Sequence, residues 1–278
     1  LPIPFRNYNQ FMEPLPFVSI ITITYQAEPF LRATMDSILN QQALDFEYLL
    51  IDGASTDGTT DIIKQYEPLF MEKGLSFRWI SEPDKGLYHA MNKGLRMATG
   101  TYIWFVNAGD AIASEQTLSE VIAQLKQTFH CLISEEKSLP DFIYGETLIV
   151  NEKGEILGAR RLKAPETLTW KNFRMGMLVC HQSMLVKRSL APLFNLNYHY
   201  SADFDWAINC LKKSAHIFNT HLVLSHFMEG GVSKTKMKAS LKERFQIMST
   251  NYGRFRTIIL HGWFLLRAAW FKLIHGWI

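Results

Sequence analysis

With 278 residues, 47% of them hydrophobic, the chain suits one large α/β domain or a domain with an appendage, and has ample apolar content for a packed core. Its three cysteines, Cys131, Cys180 and Cys210, are widely spaced and form no C-x-x-C pair, which argues against a disulfide framework or a zinc site and for a reducing, cytoplasmic setting. Net charge is only +3, yet the segment from Lys234 onward carries +8, leaving about −5 upstream; an acidic body without a recognition module argues against a nucleic-acid partner.

Residues 1–16 mix prolines with polar side chains and lack an apolar run of signal-peptide length, so they read as a leader. Residues 17–24, dense in β-branched side chains, predict a buried first strand, and Pro29 sits at a favourable first position for a helix through residue 42. A second strand over residues 46–51 ends at Asp52, and the small-residue loop 53–58 leads into a helix over 59–70. A third strand over 77–81 is followed by Glu82, Pro83, Asp84, Lys85 and Gly86, then a helix over 87–98. The fourth strand, 102–106, stops abruptly at the polar turn Asn107, Ala108, Gly109, Asp110. This alternation predicts parallel strands joined by right-handed crossovers, a Rossmann-like, mostly parallel sheet with helices on both faces.

Four strand ends then open on one edge, which collects Tyr25, Glu28, Asp52, Asp57, Asp84, Lys85, Asn107 and Asp110. Polar residues gathered there describe a ligand crevice. The loops contain neither a G-x-x-x-x-G-K-[ST] sequence nor a G-x-G-x-x-G after the first strand, so a P-loop and an ordinary dinucleotide site are disfavoured. An acidic crevice of this kind can hold a diphosphate through a hard divalent cation bound by Asp110. The turn has a plainer reading too, with Asp110 capping a helix that starts near Ser114.

The second half is less regular. Residues 114–129 look helical, 142–150 and 155–160 resemble two strands around a hairpin-like turn, and 180–187 predict another strand. Residues 200–213 form a helix that Ser201 can cap. Asp203 then sits in its first turn, where a carboxylate is electrostatically favoured whether or not it reacts.

Taken in order, residues 18–25 with Glu28, the 52–59 loop, the 81–94 segment Ser-Glu-Pro-Asp-Lys-Gly-Leu-Tyr-His-Ala-Met-Asn-Lys-Gly, residues 105–110 and residues 201–206 resemble the family 2 glycosyltransferases. Their GT-A fold is an α/β fold, and the resemblance is greatest to the branch that builds bacterial exopolysaccharides and surface glycans. It implies a GT-A domain over residues 17–233, with a nucleotide-binding half at 17–112 and an acceptor half at 113–233. Thr24, Tyr25 and Glu28 match the first nucleotide-binding turn, Asp52 the acid that contacts the base, and Asp84 and Lys85 the loop over ribose and diphosphate. Asn107 to Asp110 match the Asp-x-Asp element, although the earlier acidic positions are here Asn107 and Gly109. Metal binding, by Mn2+ or Mg2+, thus rests on Asp110, with His181 or His226 as candidate helpers. Asp203 matches the base of an inverting transfer. His181 and Gln182 match a pair that contacts acceptor or diphosphate, and Gly230 to Ser233 a segment that closes over the donor.

The implied function is inverting transfer of a sugar from a nucleotide-diphosphate donor, UDP-linked, to a glycan or lipid-linked acceptor. A catalytically silent nucleotide-sugar sensor or assembly subunit is the alternative. Residues 234–278 combine basic side chains with Trp263, Phe264, Trp270, Phe271 and Trp277 but no uncharged run of spanning length. They predict a basic amphipathic helical tail lying on the inner face of the cell membrane, or else a helix packed on the domain or on a second copy in a homodimer.

Overall fold

The computed structural model describes residues 15–129, 139–230 and 236–275; nearly all of the expected leader, Cys131 and Lys234 fall outside them. Strands β1 (Val18–Thr24), β2 (Phe46–Asp52), β3 (Ser76–Ser81) and β4 (Tyr102–Phe105) alternate with helices α1 (Glu28–Leu39), α2 (Thr59–Glu72) and α3 (Leu87–Met97). β1 pairs in parallel with β2 and β4, and β2 with β3, so four carboxyl ends share one edge. Every residue of β1, β2 and β4 is buried, which is why these strands read as continuous apolar runs.

The side chains alternate between two cores. Val18, Ile20, Tyr48, Leu50, Tyr102 and Trp104 pack with α1, α2 and α4 (Thr117–Phe129). Ile21, Ile23, Leu49, Ile51, Ile103 and Phe105 pack with α3 and α5 (Ala202–Lys213) on the opposite face. The predicted α/β sandwich is therefore observed, with helices on both sides.

Beyond β4 the sheet continues through β8 (Met184–Lys187), β6 (Phe142–Val150), β9 (Ile217–Met228) and β5 (Ala111–Ile112), with β7 (Ile156–Ala159) on β6. β8 runs antiparallel to both β4 and β6, whereas β6 and β9 are parallel, so the simple crossover pattern ends at β4. Strand β9 has no counterpart among the predicted elements. Its alternation is broken at His221, which adopts φ 56°, and by register shifts against β6. Two further expectations change. The strand over 180–187 begins only at Met184, because His181–Ser183 form a 3₁₀ turn. The helix after Asp110 starts at Thr117, and Asp110 runs instead into β5, so it caps nothing.

Residues expected as a tail form α6 (Met237–Tyr252) and α7 (Arg254–His275). α6 is docked on the body, with Ile247 and Met248 entering the core shared by α3 and α5. Among the described residues no helix is long and apolar enough to cross a membrane.

One buried carboxylate holds the far edge of the sheet together. Glu47, in β2, accepts hydrogen bonds from Ser19 Oγ and the Thr99 amide, both at 2.6 Å, and from Arg78 at 2.6 Å. Burial pushes its carboxyl up, but the donors from Ser19, Thr99 and Arg78 together outweigh burial and hold it below its ordinary value. Glu47→Gln is expected to lower unfolding free energy by about 2 kcal/mol at neutral pH. The sign follows from a depressed native pKa: the penalty is complete above the unfolded value of 4.5 and fades as pH falls through the lower native one. Denaturant titrations at pH 7 and pH 3 check both parts.

Candidate active site

The loops at the carboxyl ends of β1 to β4 are tied to one another before any ligand is considered. Asp57 Oδ1 accepts from the Thr59 amide at 3.0 Å and its Oδ2 from the Glu28 amide at 3.2 Å, so one side chain caps the start of α2 and braces that of α1. Glu28 returns the favour by accepting from the Gly58 amide at 3.0 Å. Its carboxylate thus fastens the turn after β1 to the loop after β2.

Asp52 is fully buried and turned inward. Its Oδ2 accepts from the Ser55 amide at 2.9 Å and from Ser81 Oγ at 2.6 Å, and its Oδ1 from Ser55 Oγ. These three bonds fix the carboxylate at the end of β2, between its own loop and the end of β3. The exposed group beside it is Tyr25. A Cβ at Gly53 would stand 3.2 Å from the Tyr25 ring and 3.6 Å from Asp84 Oδ2, which puts Tyr25, Gly53 and Asp84 around one small space.

Asp84 binds His89 Nδ1 at 2.9 Å and Lys93 Nζ at 2.6 Å through Oδ1 only. Its Oδ2 is buried with no hydrogen-bond partner, as are Thr24 Oγ1, Asn107 Oδ1 and His181 Nε2. Unpaired buried polar atoms are costly and uncommon, and these four all belong to residues expected at the crevice. Lys85 is exposed at the start of α3.

Asp110 departs from expectation in a different way. It is 5% exposed rather than open, with Oδ2 accepting from Gln182 Nε2 at 2.6 Å and Oδ1 from the Met228 amide at 3.1 Å. The last residue of β9 therefore closes over the turn. Gly109 bears on the departure from Asp-x-Asp: it adopts φ +97°, where any other side chain is strained, and a Cβ there would press on the flexible tip of Met228 at 2.6 Å. Burial pushes the Asp110 carboxyl up to about 7, the bonds from Gln182 and Met228 opposing it only in part.

His181 and Gln182 link the two acids. His181 stacks on Phe105 at 5.1 Å and meets Trp206 edge-on, and burial holds it neutral, its pKa pushed down to about 4 against the pull of the Asp203 charge. Gln182, the next residue, reaches Asp110. Asp203, in the first turn of α5, accepts from Tyr88 Oη at 3.0 Å. Burial and the Asp203 charge push the Tyr88 phenol well above its ordinary value, so it stays a donor. Asp205 points elsewhere, accepting from Asn209 Nδ2. Ser201 does not cap α5 with its side chain; its hydroxyl lies 2.8 Å from Ser240 Oγ on α6.

The donor set can be set against a divalent cation. Among the described residues no three His, Cys, Asp or Glu side chains form a metal-binding group, and His226, opposite Ala111 in register, joins none. What remains is Asp110, a buried acid under strong desolvation, and the unpaired Asn107 oxygen of the same turn. That pair fits a hard cation that takes one carboxylate and completes its shell from substrate phosphates and water. Gly230 is exposed, and the rest of the expected closing segment, residues 231–233, lies outside the described residues.

Tyr88, Met228 and Glu243, the last bonded to the backbone amides of residues 199–201 ahead of α5, are contacts the sequence reading missed. Tyr88 lies inside the 84–94 motif but had no assigned role; Met228 carries no sequence signal, its contribution being a backbone amide. Glu243 left one trace, as the sole acid in a basic segment.

Comparison with known proteins agrees with this architecture. The family model for glycosyl transferase family 2 matches residues 19–190. A PGL/p-HBAD biosynthesis glycosyltransferase of Mycobacterium tuberculosis is 32% identical over 270 residues, covering 94% of this chain and 97% of that protein. A putative teichuronic acid biosynthesis glycosyltransferase, TuaG of Bacillus subtilis, is 25% identical over 233 residues, 83% of this chain and 86% of its own. S. aureus TarS 1-349 in complex with UDP-GlcNAc shares the fold with a TM-score of 0.64 at 18% identity, over 93% of this chain and 74% of that one. Mannosyltransferase PcManGT from Pyrobaculum calidifontis, in complex with GDP-Man and Mn2+, does so at 0.61 and 17%, over 95% and 77%. A family match across well over half the chain, on a sheet whose four parallel strand ends carry the residues that suggested it, makes this protein a glycosyltransferase belonging to glycosyl transferase family 2.

Proposed function

We propose that the protein transfers a sugar, with inversion, from a UDP-sugar to a glycan or lipid-linked acceptor in bacterial surface-glycan synthesis. The observation that carries this reading is the His181–Gln182 dipeptide, whose amide bonds Asp110 while the adjacent imidazole packs 5.4 Å from Trp206 on α5, the helix whose first turn carries Asp203. Support for donor and pathway comes from the relatives' roles in PGL/p-HBAD and teichuronic acid biosynthesis and from the UDP-GlcNAc bound to a structural neighbour.

Asp203 takes the proton of the acceptor hydroxyl as that oxygen bonds to the anomeric carbon, on the face opposite the departing nucleoside diphosphate. Tyr88 orients the carboxylate. Neutral His181 presents Nε2 to a substrate hydroxyl, and the unpaired oxygens of Thr24 and Asp84 receive the nucleoside. Asp110 and Asn107 would hold a divalent cation, which neutralises charge on the leaving diphosphate.

The tail reading continues in α7. Phe255, Ile258, Ile259, Trp263 and Leu266 form an exposed apolar stripe at helical spacing beside Arg254 and Arg256, which suits an anionic leaflet on the cytoplasmic side.

A thermal-shift screen of nucleotide sugars, with and without Mn2+, tests donor and metal together. At a hundredfold excess over Kd a true donor stabilises by about 2.7 kcal/mol, a melting-temperature rise of roughly 5–10 °C for a chain of this size. UDP-sugars with Mn2+ are expected to give that rise. No response to any nucleotide sugar overturns the proposal.

A further inference from the structure

The general base sits on a helix whose entry is fastened by a part of the chain outside the nucleotide-binding sheet. Glu243, in the second turn of α6, is 9% exposed and accepts three backbone hydrogen bonds: from the His199 amide to Oε1 at 2.7 Å, and from the Tyr200 and Ser201 amides to Oε2 at 2.8 and 2.9 Å. Those amides belong to the last three residues before α5. Ser240, three residues earlier and on the same face of α6, engages the Ser201 hydroxyl. Two residues after Ser201 comes Asp203.

We infer that Glu243 is a positioning residue for glycosyl transfer, fixing the backbone from which Asp203 projects; the inference rests on Asp203 being the base. The two ends of the arrangement are held by different elements. Tyr88, on α3, aims the carboxylate, while Glu243, on α6, sets the start of the helix that carries it. Three donors to one buried carboxylate make a stiff clamp, since charge-assisted bonds are roughly twice as strong as neutral ones. Both oxygens are taken up by those amides, so Glu243 acts through Asp203 and not on substrate. A base displaced by about 1 Å loses on the order of 10²-fold in rate, so even a partial loosening of the clamp registers in kcat. The donor is bound at the other half of the crevice, and its KM has no reason to change.

The test compares Glu243→Gln with Ile247→Ala. The first keeps shape but places an NH2 against backbone donors. The second empties core volume under the same helix without touching the three amides. Expected for Glu243→Gln is a kcat lowered tenfold or more, with donor KM within twofold of wild type. Ile247→Ala is expected to lower the melting temperature and leave kcat within twofold, assayed below its transition. An unchanged kcat in Glu243→Gln overturns the inference. So does an equal kcat loss in both variants, which marks α6 docking in general. If Glu243→Gln melts below assay temperature, Glu243→Asp replaces it: charge is kept, reach is shortened, and a threefold fall in kcat at constant donor KM supports the clamp, whereas full activity overturns it. Asp203→Asn run in parallel separates the two claims. An active Asp203→Asn refutes the base itself, and an inactive one beside a fully active Glu243→Gln refutes only the clamp.

Discussion

Asp203→Asn is expected to lower kcat by about 10²–10⁴-fold while donor affinity stays within twofold of wild type, because a positioned general base contributes a rate factor of that size and touches the acceptor only. In free energy the loss is roughly 3–5 kcal/mol of transition-state stabilisation. The substitution is close to neutral for the fold. Asp203 is only partly buried, its side chain accepts one hydrogen bond from Tyr88, and an amide oxygen accepts that bond equally well. A melting temperature near that of wild type therefore accompanies the lost activity. Steady-state transfer from a UDP-sugar and calorimetric donor binding, run on the same preparation, give the two numbers. Transfer at the wild-type rate would remove Asp203 from the chemistry and pass attention to Asp205, which the structure turns toward Asn209 instead.

Why some of this was legible in the sequence and some was not has a physical basis. β1, β2 and β4 are buried on both faces, and such strands announce themselves as unbroken β-branched and aromatic runs that end where polar loops begin. Their common edge followed from the crossover rule alone. β9 is different: its neighbours in the sheet are β6 and β5, its faces are half-buried, and His221 interrupts its pleat, so no period-2 signal survives. The covering of Asp110 is a consequence of β9, since the donor is the Met228 backbone, and backbone amides carry no mark in the sequence. Asp52 shows the converse case. The residue stands at the strand end where it was expected, and donors from Ser55 and Ser81 fix it there, local bonds that spacing does not reveal. Glu243 reads as one acid among lysines until tertiary structure brings it to residues 199–201.

Asp110→Asn is expected to disable the protein and, above neutral pH, to make it more stable. The wild-type carboxyl is raised by burial from 3.8 to about 7, so the folded state holds the proton more tightly than the unfolded chain does. The charged form then costs stability: nothing below pH 4, progressively more between pH 4 and 7, and about 4 kcal/mol once ionisation in the fold is complete. An amide at this position is neutral throughout. It still accepts from Gln182 or from Met228, but it turns an NH2 toward the other donor, so part of the gain is lost at every pH. The stability difference between variant and wild type, measured in chelator on metal-free protein, is therefore expected to move in the variant's favour by about 4 kcal/mol between pH 4 and pH 8. Transfer at pH 8 with Mn2+ is expected to fall at least about 10²-fold if Asp110 holds the cation as proposed. A pH-independent difference would mean that Asp110 is ionised at no cost in the folded protein, and the strain attributed to its burial would have to be abandoned. Such a pH-dependent cost is what the cation role proposed for Asp110 would relieve, and the unpaired Asn107 oxygen in the same turn fits that proposal.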